Sequence, residues 1–108
     1  MTRAPTVYVD VFGTLEHSPG QPIPGTIAAV RRLHAEGCTL VCWSSAGGDY
    51  ARQACERLGI AELFEAFLTK PEVMLDDIRL RNWRGPLELH PREIEGQGRD
   101  FIESLLRR

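Results

Sequence analysis

Short apolar runs and longer segments of helical period alternate along this chain. The first run, residues 6–11, is rich in strand formers and encloses one carboxylate, Asp10. Residues 16–25 hold three prolines and two glycines and read as a loop. Residues 24–36 put Ile27, Val30 and Leu33 on one helical face and Arg31, Arg32 and Glu36 on the wet side. Pro24 suits the start of that helix, and Gly37 suits the position just past its end. Residues 38–43 form a second strand, followed by the turn Ser44-Ser45-Ala46-Gly47-Gly48. Asp49 is expected to cap a second helix over 49–58, with Tyr50, Ala51, Ala54, Cys55 and Leu58 facing inward and Gly59 at its end.

The remainder predicts a helical turn at 61–64 and a strand at 65–69 that stops at Lys70-Pro71. A strand at Val73-Met74-Leu75 ends in Asp76-Asp77, and Leu87-Glu88-Leu89 reads as an edge strand. A closing helix over 97–107 turns Phe101, Ile102, Leu105 and Leu106 inward. Strands alternating with helices predict the α/β class: one Rossmann-like domain over 1–108, with a mainly parallel sheet flanked by helices.

Composition narrows the function classes. The apolar content of 43% and charged content of 26% are those of an ordinary globular domain. A net charge of −2 supplies no basic field for nucleic acid. No apolar run approaches the ~20 residues of a membrane span. The first five residues lack the apolar core of a secretion signal. Cys38, Cys42 and Cys55 are odd in number and lack Cys-x-x-Cys spacing, which argues against zinc and for reduced, buried thiols in a cytoplasmic protein.

Each expected strand end carries a polar residue: Asp10, Ser44, Lys70 and Asp76-Asp77. Parallel strands put those ends on one edge, where open α/β sheets bind ligands. The set suits phosphoryl transfer through an aspartyl-phosphate, with Asp10 as nucleophile. A carboxylate attacking an anionic phosphate needs its repulsion cancelled, and Mg²⁺ does this with oxygen ligands: Asp10, the Phe12 backbone carbonyl, Asp76 and Asp77. Lys70 balances the carboxylates, while Ser44, Ser45 and nearby amides bind phosphate oxygens. Each residue also has a plainer reading. Asp10 could bond turn amides and Thr14, Ser44 could cap its turn, Lys70 could be a surface lysine, and Asp76-Asp77 could open a turn. The match of charge between Lys70 and the acids speaks against independent accidents. The glycine-rich nucleotide loops are absent. A response-regulator receiver has its acidic pair early in the chain; here the pair comes last.

The motif Asp-x-x-Gly-Thr-Leu at 10–15, then Trp43-Ser44, Lys70-Pro71 and finally Asp76-Asp77, resembles the haloacid dehalogenase-like superfamily over residues 7–77. The resemblance implies a Rossmann-like fold, Mg²⁺ dependence and phosphatase activity. Asp10 would be the nucleophile, Ser44 the phosphate-binding hydroxyl, Lys70 the charge-balancing lysine, and Asp76 with Asp77 the metal acids. The chain between Asp10 and Ser44 is too short for a cap domain. Capless members act on large phosphorylated substrates or borrow a neighbouring subunit as a lid, so a macromolecular substrate or a homo-oligomer is expected. Phe12 stands where the family's phosphatases hold their general acid, a loss that commonly costs ~10²–10⁴ in rate. Three functions follow: a weakened Mg²⁺-dependent phosphatase, a degenerate binding module on the same scaffold, and a dehalogenase. The acidic pair and the missing cap rank the dehalogenase last. Arg79, Arg81, Trp83 and Arg84 either contact a substrate or partner or form a solvated basic loop. His17 is the remaining candidate for the missing acid.

Overall fold

The computed structural model describes residues 3–83, 85 and 87–107; Arg84 lies outside them. Strand β1 (Thr6–Asp10) leads through a turn into a small hairpin, β2 (Glu16–Ser18) and β3 (Gln21–Pro22). Helix α1 (Pro24–Ala35), strand β4 (Thr39–Ser44), helix α2 (Gly48–Leu58) and strand β5 (Ala66–Thr69) follow. The chain closes with α3 (Pro91–Ile94) and α4 (Arg99–Leu106). One-turn 3₁₀ helices stand at Ala61–Leu63 and Leu80–Asn82. The main sheet is parallel in the order β1-β4-β5. This is the α/β architecture that the alternation of elements predicts. No helix of the described residues is long and apolar enough to cross a membrane.

Alternation along the strands decides which side is covered. Val9, Leu40 and Cys42 join Val30 and Leu33 of α1 and Ala51, Ala54 and Cys55 of α2 in one core. Ile102 of α4 enters the same cluster. On the opposite face stand Tyr8, Val41 and Trp43; Val41 is buried there without belonging to that core. All three cysteines are free and buried. The Cys55 thiol donates to Cys42 at 3.6 Å; this bond, and then burial, hold the Cys42 thiol far above its ordinary pKa and therefore protonated.

Several sequence expectations need correction. Residues 16–22 form a hairpin rather than a loop, and Glu16 is its anchor. Its carboxylate is wholly buried and accepts from Arg57 Nη2 at 3.0 Å and from the Gly20 amide at 3.1 Å. Those two donors offset the cost of taking the charge out of water. Helix α2 begins before Asp49, with Gly47 at the cap position. Val73-Met74-Leu75 is not a strand; the three side chains are 75%, 51% and 96% exposed. Leu87-Glu88-Leu89 is not a strand either, and α3 follows it, capped by His90 and Glu93.

Glu36 joins the C-terminal segment to α1. Its Oε1 accepts from the Arg99 amide at 2.8 Å at the start of α4, and Arg99 Nη1 donates to the Glu36 carbonyl at 3.0 Å. The backbone bond from Arg99 holds the Glu36 carboxyl below its ordinary value, with the Arg32 side chain adding to the effect.

Two outcomes follow for stability. Arg57→Ala leaves a buried carboxylate short of its strongest donor and should cost about 1–3 kcal/mol in urea unfolding; a loss below 0.5 kcal/mol, within the range of ordinary surface changes, would show that the pair does not hold the hairpin. Because the Glu36 carboxyl is lowered in the folded state, its contribution is present above the unfolded value and is lost as pH falls through the folded value. The urea midpoint of wild type should therefore exceed that of Glu36→Gln at pH 6, and the difference should shrink as pH falls below the ordinary carboxylate range.

Candidate functional site

Asp10 ends β1 with its side chain 31% exposed. The next residues wind tightly: the amides of Thr14, Leu15 and Glu16 all donate to the Val11 carbonyl, at 3.1, 2.8 and 3.3 Å. Gly13, at a φ of 81°, permits that turn. It brings Thr14 back over the strand end, where Thr14 Oγ1 donates to Asp10 Oδ2 at 3.3 Å.

Lys70 arrives from the far side of the sheet. Strand β5 ends with Thr69 paired to Ser44, and the Lys70 amide donates to the Ser44 carbonyl at 3.0 Å. The long side chain then reaches across β4, and Nζ stands 6.0 Å from the Trp43 ring centre and 3.1 Å from Asp10 Oδ1. Both members are about one-third exposed, so the pair is screened and adds little to folding. Its effect is local, placing a cation beside a strand-end carboxylate on an open surface.

Ser44 is buried, and its hydroxyl accepts from the Ala46 amide at 3.0 Å, as a turn cap does. The pleat sends its side chain to the helix-covered side, one position beyond Trp43, the register partner of Asp10. Ser45 is exposed in the turn. Gly48 lies so close to β5 that an added Cβ would stand 2.6 Å from the Phe67 carbonyl oxygen. Its amide donates to Thr69 Oγ1 at 3.1 Å, which fixes the start of α2 beside Lys70.

Asp10 thus contacts Lys70 and Thr14, whereas the Ser44 side chain faces the other side of the sheet and Ser45 lies exposed in the turn. Phe12 is 67% exposed, with its backbone in a bridge to Glu16. The acidic pair is elsewhere. Asp76 Oδ1 accepts from the Ile78 amide at 2.8 Å, and Trp83 Nε1 donates to the Ile78 carbonyl at 3.1 Å. Met74, Asp76, Ile78, Leu80 and Trp83 curl round a hollow of about 120 Å³. Among the described residues no three His, Cys, Asp or Glu side chains gather as a metal site would need. Asp10, Asp76 and Asp77 therefore do not share an ion as placed. Arg79 and Arg81 are exposed. A shallow hollow of about 240 Å³, lined by His34, Cys38, Glu62 and Phe64, lies by the start of β4, at the opposite end of the strands from Asp10.

Sequence reasoning passed over Tyr8 and Trp43. Both flank the site, and strand alternation from Asp10 and Ser44 was the signal that could have found them. No family model, curated protein or solved structure matches the chain.

Gly48→Ala is expected to push α2 away from β5 and to lower stability by about 1–3 kcal/mol in denaturant unfolding, the range for overpacking. An unchanged midpoint would mean that the turn tolerates a side chain and does not fix the approach of Lys70.

Proposed function

We propose that the chain is a phosphohydrolase of haloacid dehalogenase-like type that works through an acyl phosphate formed on Asp10. The observation that supports it is the 3.1 Å pair of Lys70 with Asp10 at the carboxyl end of a parallel sheet, open to solvent. A covalent mechanism asks for a carboxylate held in one orientation beside a positive charge that offsets an incoming dianion. Asp10 Oδ1 is taken by Lys70, and Oδ2 is held only by the longer 3.3 Å bond from Thr14, so Oδ2 is the attacking oxygen. The bond from Oδ2 to phosphorus forms as the bond from phosphorus to the ester oxygen breaks. Water then releases inorganic phosphate and restores the carboxylate. Lys70 holds the Asp10 carboxylate in place beside the incoming phosphate.

Mg²⁺ would supply further charge cancellation, as the resemblance implies. Asp76 and Asp77 do not fit one ion together with Asp10 in this arrangement. A second reading, a phosphate-binding module without turnover, draws on Phe12, an exposed hydrocarbon ring two positions past Asp10 that cannot carry a proton.

Hydrolysis of a panel of phosphomonoesters, with and without Mg²⁺, separates the two. Turnover in wild type that falls at least 100-fold in Asp10→Asn supports the hydrolase. Equal rates in both proteins sink it, and phosphate binding that persists without turnover favours the module.

A further inference from the structure

We infer that the uncovered face of the sheet is a docking shelf for the ring of an aryl phosphate, a phosphate carried on a phenolic oxygen. The inference rests on the hydrolase reading of Asp10 and names the substrate class.

Register sets the geometry. Asp10 pairs with Trp43 and Trp43 with Leu68, so these three side chains stand at one level on one face. One step back along the strands, Tyr8 pairs with Val41 on the same face. Tyr8 is 46% exposed and Leu68 40% exposed. The Tyr8 and Trp43 rings meet edge to face, with centres 4.7 Å apart and planes at 82°, which holds each ring still. Adjacent strands lie about 4.8 Å apart. The backbones of Trp43 and Asp10 are therefore one strand spacing apart, and the Lys70 ammonium lies 3.1 Å from Asp10 Oδ1 and 6.0 Å from the Trp43 ring centre. A dianion beside Lys70 and a planar ring on Trp43 would thus meet a cation and an aromatic surface side by side. The α1 and α2 helices pack on the opposite face, so the shelf is open to a ligand.

The chemistry points the same way. Among the described groups in contact with Asp10, Lys70 is tied to the carboxylate and Thr14 is a hydroxyl. The side chain two positions on is the hydrocarbon ring of Phe12. An ester oxygen must then leave as an anion and collect its proton from water afterwards. A phenol, with a pKa near 10, tolerates this. An alkyl alcohol, close to water's 15.7, does not. In the balanced step the phenoxide departs with the bonding pair as Oδ2 takes the phosphoryl group. Water then yields phosphate and free Asp10.

The test compares phenyl phosphate, free phosphotyrosine, a phosphotyrosyl peptide and an alkyl phosphate as substrates. A kcat/KM for the aryl esters at least 100-fold above the alkyl ester supports the inference, and equal values overturn it while leaving the hydrolase reading intact. Better turnover of the peptide than of free phosphotyrosine assigns the ring to a protein; the reverse assigns it to a small molecule. Trp43→Leu should raise KM for phenyl phosphate about fivefold or more with kcat little changed. Tyr8→Ala, at a more exposed position, is the second variant should Trp43→Leu fail to fold. Phenylphosphonate, which has a carbon–phosphorus bond in place of the scissile ester, gives a readout independent of ester turnover. Its binding, followed by tryptophan fluorescence in wild type and Trp83→Phe, should be tighter than that of methylphosphonate. Equal weak binding of both overturns the shelf whatever the turnover.

Discussion

Parallel pairing of β1 with β4 and of β4 with β5 gives every strand of the sheet the same polarity. A carboxylate at one strand end and a lysine just past another can meet only because those ends share an edge. The ladder reaches Asp10, Trp43 and Leu68 at a single level, and Lys70 leaves the next position but one. Its ammonium lies over the Trp43 ring at 6.0 Å from the centre and meets Asp10. A slip of one residue in either pairing would reverse the pleat and send Asp10 or Trp43 to the helix-covered side. The site therefore depends on register before it depends on any side chain.

What fixes that register is the one-sided core. Val9, Leu40 and Cys42 must face α1 and α2, because a three-strand sheet with two crossover helices has no other way to bury them. The buried Glu16 adds a long-range constraint. Paired with Arg57 on α2, it holds the hairpin that follows Asp10 against the helix that follows Ser44. The pair ties the start of the hairpin, two residues past Thr14, to the last turn of α2.

Much of this was legible in the sequence. The apolar runs and helical periods located β1, α1, β4, α2 and β5 to within a residue or two, and the charge match between Asp10 and Lys70 anticipated their pair. The plainer reading of Ser44 as a turn cap also holds. The misses share a cause in tertiary context. Three prolines hid a hairpin whose anchor, Glu16, takes its partner Arg57 from far along the chain. Val73-Met74-Leu75 has the composition of a strand, but a run of three carries no period to distinguish a buried strand from an exposed bend. Asp49 has the chemistry of a helix cap, but the approach of Gly48 to Phe67 begins the helix earlier. The acidic pair followed from that mistaken strand, and its separation from Asp10 is the same error seen at the site.

The edge-to-face pair of Tyr8 and Trp43 has a thermodynamic side. A domain of this size has one core, and here part of its sheet keeps aromatic carbon in water. Whatever ring settles on that face completes a layer that the chain itself leaves unfinished. Occupancy and folding then draw on the same free energy: a ligand bound only by the folded state stabilises it by RT ln(1 + [L]/Kd). For a ring bound there as inferred, the melting temperature would rise with the concentration of that ligand, and thermal resistance would measure occupancy.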